Sequence, residues 1–285
     1  GVGKTTFLLQ YAKEKFGTDR SCLFINMNNF YFSGHSIVDF AYEFQRRGGK
    51  VLLIDQVFKH PDWSKELRLC YDRFPNLKIV FTGSSVMRLK EENLELRDIV
   101  KSYNLRGFSF REYLNLQTGM KFRSYSLEEI LSNHEQIAKG ILSKVRPLDH
   151  FQDYMHHGFY PFFLEKRNFS ENLLKTMNMM VEVDILLIKQ IELKYLSKIK
   201  KLLYFLAVDG PKAPNVSQLA NDIQTSRATV MNYIKYLADA RLINMVYPKG
   251  EEFPKKPSKI MMHNSNLMYS IYPVKVEEQD VLDTF

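Results

Sequence analysis

The residues most able to do chemistry come first in the chain. Gly1-Val2-Gly3-Lys4-Thr5-Thr6 read as the second half of a phosphate-binding loop, Gly, four variable residues, then Gly-Lys-Ser/Thr. The leading glycine of that pattern would fall upstream of residue 1. Each residue type has its own reason. Gly1 and Gly3 let backbone N–H groups curl around a β-phosphate, Lys4 neutralises β/γ oxygens, and the Thr5 hydroxyl can ligate magnesium, with Thr6 following in the same turn. The helix expected over about 4–16 would point its positive end at the same phosphates.

A second constellation completes the first. Val51-Leu52-Leu53-Ile54-Asp55 is four apolar residues followed by an acid, a buried strand that delivers a carboxylate to its C-terminal end, where open α/β sheets bind ligands and magnesium can be held through water. Gln56 follows, where ATPases of this kind commonly carry a glutamate as general base. A neutral amide orients water but cannot take its proton, so Gln56 implies binding with slowed hydrolysis, water positioning as in some GTPases, or another carboxylate acting as base. After the next strand, Thr82, Ser84 and Ser85 offer hydroxyls to a γ-phosphate, with Ser84 the sensor candidate. Arg88, Arg97, Arg106 and Arg111 are candidates for an arginine finger contributed to a neighbouring subunit; Arg97, after a helix expected from Asn93, is the first choice.

These groups need a scaffold. Strands expected at 21–26, 50–55 and 77–81 alternate with helices at 4–16, 36–47 and 63–74, which implies a parallel sheet with helices on both faces. From Ser109 to about Lys194 no strand pattern recurs, and 127–133, 136–145 and 173–194 read as helices of a bundle. His156-His157 project apart on a helix without acidic partners and are not read as a metal site; Met177, Met179 and Met180 are read as packing.

Residues 196–250 have the spacing of a helix-turn-helix, with Ser226 capping the third helix and 242–247 and 258–262 as wing strands around the basic 248–257 loop. If that helix reads double-stranded DNA, its exposed positions are Arg227, Thr229, Asn232, Lys235 and Tyr236, with Lys249, Lys255 and Lys256 on phosphates. The same module can instead dock a protein or a second copy of the chain.

The 285 residues carry a net charge of +8, compatible with an anionic partner, and 45% hydrophobic residues, the composition of a soluble globular protein. No apolar run approaches a membrane span. Cys22 and Cys70 lack metal-ligand spacing and read as buried thiols of a reducing compartment, hence a cytoplasmic protein.

Three stretches carry a family resemblance: Asp55-Gln56-Val57-Phe58-Lys59-His60-Pro61-Asp62-Trp63, Lys78-Ile79-Val80-Phe81-Thr82-Gly83-Ser84-Ser85, and Leu105-Arg106-Gly107-Phe108-Ser109-Phe110-Arg111-Glu112-Tyr113-Leu114. They resemble the archaeal-type AAA-like P-loop ATPases of the additional-strand group. The resemblance implies an α/β P-loop NTPase core using ATP and magnesium, an α-helical lid, a winged helix and a C-terminal nuclease-like domain. On this chain those parts would be residues 1–108, 109–195 and 196–263, with 264–285 opening the last domain. The loop lacks its first half, Gln56 stands in place of glutamate, and the chain stops at Thr284-Phe285, about where the nuclease-like domain would begin. The expected function is an ATP-binding AAA-like ATPase coupled to a winged helix, with hydrolysis impaired by Gln56. The alternatives are a nucleotide-gated DNA-binding regulator or a non-catalytic interaction scaffold.

Overall fold

Apolar runs of four and five residues form the sheet. In the computed structural model, which describes residues 2–84, 93–165, 168–271 and 276–285, β1 (Cys22–Asn26), β2 (Val51–Asp55) and β3 (Lys78–Phe81) pair in parallel in the order β1-β2-β3. Every residue of β2 is buried because both faces are covered, and the period-2 geometry of a strand sorts its side chains. Val51 and Leu53 pack with Leu8, Tyr11 and Phe16 of α1 (Lys4–Phe16). Leu52 and Ile54 pack with Ile37 and Ala41 of α2 (Ile37–Arg46) and Leu67 and Cys70 of α3 (Trp63–Arg73). Burial pushes the Cys70 thiol up to about 12, so it sits in the core as an apolar group; Cys22 is half-buried, and neither is in a disulfide.

The chain divides into two compact units. The sheet unit comprises Gly3–Leu105 together with Val183–Ile191; the helical unit comprises Arg106–Glu182 and Glu192–Phe285. Where a helix is expected from Asn93, residues 94–99 are turns: the Asn93 side chain accepts from Leu96 N–H, and the Leu96 carbonyl accepts from Ile99 and Val100 N–H.

The helical unit opens on α4 (Phe110–Thr118), started by a capping box in which Ser109 accepts from Glu112 N–H and the Glu112 side chain accepts from Ser109 N–H. Phe110 and Tyr113 turn inward onto Tyr154 and Phe163. The Ser-Phe-Arg-Glu-Tyr-Leu motif is thus a helix start and a core anchor. The two helices expected at 127–133 and 136–145 are one, α5 (Leu127–Leu142), kinked at Asn133. After α6 (Leu148–Asp153) the chain widens into a π-helix, Tyr154–Gly158. Gly158 is required there, since a Cβ would lie 2.2 Å from Tyr154 Cδ2. α7 (Phe169–Met179) runs into a second π-helix, Met180–Ile185, then α8 (Leu186–Lys189), which Gln190 stops in a left-handed conformation. One long helix over 173–194 is therefore replaced by a broken run.

α9 (Leu196–Asp209), α10 (Val216–Asp222) and α11 (Arg227–Asp239) precede an antiparallel pair, β4 (Ile243–Val246) and β5 (Lys259–Met262), with Lys212 bridging to Ile260. α12 (Ser265–Ile271) and α13 (Glu278–Thr284) close the chain, and Tyr269 and Val281 join the same core as Tyr113 and Tyr154. No described helix is long and apolar enough to cross a membrane.

Candidate functional site

The C-terminal edge of the sheet gathers the chemistry. Gly3 caps α1 at φ 92°, a left-handed conformation that disfavours other residues by backbone strain rather than by crowding, for a Cβ there would meet open space. The first intrahelical bond runs from Phe7 N–H to the Gly3 carbonyl at 2.9 Å. The amides ahead of it, Thr5 and Thr6 among them, are directed out of the helix end, a ready site for anionic oxygen. Gly1 lies outside the described residues.

Asp55, at the end of β2 and 1% exposed, is the hub. Its Oδ2 accepts from Thr5 Oγ1 at 2.8 Å and from Asn26 Nδ2 at 3.0 Å, and its Oδ1 accepts from the Thr82 hydroxyl. Parallel register explains all three: Asn26 pairs directly with Asp55 across β1 and β2, and Thr82 follows Phe81, the partner of Ile54. A carboxylate held by three donors at a strand end is fixed in position, and with the Thr5 hydroxyl beside it forms a hard-oxygen pair. That donor set suits magnesium, which takes one or two protein oxygens and completes its shell with water and phosphate. Among the described residues no cluster of three or more His, Cys, Asp or Glu side chains offers a denser metal cage.

Thr82 was expected to face a γ-phosphate; instead its hydroxyl donates to Asp55 and accepts from Gln56 N–H at 3.0 Å, because it is only 9% exposed and lies one register step from the carboxylate. Gln56 itself sits at φ 55°, a left-handed bend that turns the chain off the sheet. Such conformations in a non-glycine residue cluster at functional sites. Ser85 and Arg88 lie outside the described residues. Arg97 is exposed on the 94–99 turns. Arg111 donates to the Phe122 carbonyl at 3.3 Å, and Arg106 lies in the helical unit close to Arg241 and His263. Burial, with those two arginines, pushes His263 down to about 4.

One residue at this edge escaped the sequence. The Ser84 hydroxyl, three residues past the end of β3, donates to Asp184 Oδ2 at 2.6 Å. Burial raises the Asp184 carboxyl, while the Ser84 hydrogen bond, Lys59 and Lys4 pull it back. Asp184 thus lies within electrostatic reach of the phosphate-loop lysine although it is 100 residues from Ser84. An aspartate inside a helical stretch carries no sequence signal for such a place.

The expected nucleic-acid face is narrower than its spacing implied. Arg227 and Asn232 are exposed on α11. Thr229 is half-buried, its hydroxyl 2.8 Å from Ser226 Oγ in the helix cap. Lys235 is half-buried and paired with Asp239 at 2.5 Å, and Tyr236 is half-buried. These three are turned partly into the unit because α11 packs on α9, α10 and β4. Arg227, Asn232 and Lys256 line one cavity of about 350 Å³ with Val216, Phe253 and Pro254. Lys255 pairs with Glu251 at 3.1 Å, while Lys249 is exposed. His156 stacks on Tyr269 at 3.6 Å between ring centroids, and His157 pairs with Asp153.

Comparison with known proteins matches two stretches of the chain. Residues 148–275 match the model of a domain of unknown function (DUF8612), a stretch that includes Asp184. An uncharacterized protein of Methanocaldococcus jannaschii, MJ1637, is 29% identical over 266 residues, covering 88% of this chain; the chain spans 55% of that relative's length. Residues 1–114, which hold Gly3, Lys4, Thr5, Asp55, Gln56 and Ser84, match the model of an AAA domain, so the N-terminal part of the chain is AAA-like.

Proposed function

We propose that the sheet unit binds ATP with magnesium as an AAA-like ATPase. The observation that carries this reading is the 2.8 Å hydrogen bond from Thr5 Oγ1 to Asp55 Oδ2, which joins the loop and the strand end into one oxygen pair. In this reading the amides at the start of α1 and the Lys4 ammonium hold the β- and γ-phosphates, and Thr5 and Asp55 hold the metal. Magnesium, when bound, neutralises charge on the phosphate oxygens. Asn26 and Thr82 keep the Asp55 carboxylate in place, Gln56 orients the attacking water, and Ser84 senses the γ-phosphate. Arg97 is the candidate finger for a neighbouring copy.

Removing the Lys4 ammonium deletes a charge-assisted contact of roughly 1.5–3 kcal/mol, about 10–100-fold in affinity. Lys4→Ala is expected to weaken ATP binding by that factor in a calorimetric titration of the full-length protein. Unchanged affinity would sink the phosphate-loop reading.

A second reading, a nucleotide-gated DNA-binding regulator, is favoured by the cavity that Arg227 and Asn232 of α11 share with Lys256 of the β4–β5 connection. Three helices followed by an antiparallel pair have the order of a winged helix, with α11 as the reading helix. Duplex binding through Arg227, Lys249 and Lys256 is expected to weaken with salt, log K falling by about 0.9 per log unit for each phosphate contacted. Arg227→Ala should shallow that slope by about one contact; a flat salt dependence in the unaltered protein would favour a protein partner on this face.

A further inference from the structure

The site as read has a gap at Gln56, an amide where a proton acceptor would serve, and a carboxylate stands nearby without a role. Asp184 belongs to the sheet unit even though the chain on either side of Val183–Ile191 belongs to the helical unit. It lies in the π-helix Met180–Ile185, a widened turn of a kind that often marks functional positions. Ile188, four residues on, packs against the core beneath β2, so the segment is anchored there.

Three elements at the C-terminal edge of the sheet converge on this carboxylate. Ser84, three residues past β3, donates to its Oδ2; Lys59, three residues past Gln56, and Lys4 of the phosphate loop both act on it electrostatically. Among the described residues Oδ1 has no hydrogen-bond partner. A carboxylate tied to the γ-phosphate sensor and close to the lysine of the same phosphate is where an acceptor for the attacking water would have to be. Burial also moves its carboxyl toward neutral pH, the direction that makes a better base.

We propose that Asp184 is the general base for ATP hydrolysis, supplying from the helical stretch the carboxylate that position 56 lacks; the proposal rests on the reading of this edge as an ATP site. Asp184 takes one proton from a water molecule, the water oxygen bonds to the γ-phosphorus, and the bond from that phosphorus to the β,γ-bridging oxygen breaks with its electron pair leaving on ADP. The proton on Asp184 is then released to solvent. Gln56 holds the same water by hydrogen bonds, and Ser84 positions the carboxylate.

The test measures ATP turnover and ATP affinity in parallel on the full-length protein. Asp184→Asn keeps size and hydrogen bonding and is expected to lower turnover by at least about 100-fold, the scale of general-base catalysis, with ATP affinity within about threefold of the unaltered protein. Adding Gln56→Glu to Asp184→Asn is expected to restore turnover to within about tenfold, since it returns a carboxylate to the same water. Wild-type turnover in Asp184→Asn, or no rescue by Gln56→Glu, overturns the proposal. So does an Asp184→Asn protein that loses ATP binding along with turnover, which would give Asp184 a structural part only. An unaltered protein that binds ATP without turning it over overturns the base assignment and leaves the ATP site standing; one that binds no ATP removes both.

Discussion

Replacing Asn266 with leucine is expected to destabilise the helical unit by about 3–5 kcal/mol, a large share of the 5–15 kcal/mol that typically separates a folded domain from its unfolded chain. Asn266 is 1% exposed, and its amide makes contacts that leucine cannot. Nδ2 donates to the carbonyls of Tyr154 at 3.1 Å and Met155 at 2.8 Å, and Oδ1 accepts from Phe159 N–H at 2.9 Å. Those carbonyls belong to the π-helix Tyr154–Gly158 and the amide follows it, in a stretch where the widened turn departs from the ordinary helical ladder. Leucine has the same branched, four-atom side chain as asparagine and is the bulkier of the two, so the cost is not a cavity. It is the burial of groups left unsatisfied, roughly 1–3 kcal/mol each. Ser265 Oγ, which donates to Met155 O at 2.6 Å, offsets part of one. Urea unfolding followed by circular dichroism reads the loss; Trp63, the sole tryptophan, lies in the sheet unit and reports on that unit instead. A change under about 1 kcal/mol would mean that the asparagine is incidental to the π-helix.

Asn266 also illustrates where the sequence falls silent. His263-Asn264-Ser265-Asn266 is a polar run with the look of a loop, and local composition says nothing of two backbone carbonyls more than 100 residues earlier that need donors. The sheet unit was far more legible. Val51 to Ile54 read as a strand buried on both faces, and the Gly-Lys-Thr start of α1 and Asp55 follow from residue type and spacing. Asn26 and Thr82 required the parallel register, which sequence does not specify: both sit at strand ends, and only pairing brings them to Asp55. Residue type alone offers Thr82 to a phosphate, whereas the register gives its hydroxyl to the carboxylate. Lys235 differs, since Asp239 lies four residues on and the helical spacing of their ion pair is legible in the sequence. Asp184 was beyond reach, because nothing short of the tertiary fold brings a helical aspartate to Ser84.

The central claim is that Thr5 and Asp55 form the metal end of a nucleotide site, and Asp55→Asn isolates it. Asparagine can take over the local hydrogen bonds: its carbonyl oxygen in the place of Oδ2 accepts from Thr5 and Asn26, and its amide in the place of Oδ1 donates to Thr82 Oγ1. The fold should therefore survive the change, while the charge that holds a divalent cation is lost. Altering even an outer partner of a metal commonly costs about 10–100-fold in affinity, and removing the Asp55 charge should cost that much.

The most direct measurement is a titration of ATP into the unaltered protein and into Asp55→Asn, each with and without magnesium. The site as described predicts that magnesium tightens ATP binding to the unaltered protein by about tenfold or more, and that Asp55→Asn binds ATP with little response to the metal. An equal gain from magnesium in both proteins, or an unaltered protein that binds no ATP under either condition, would contradict it.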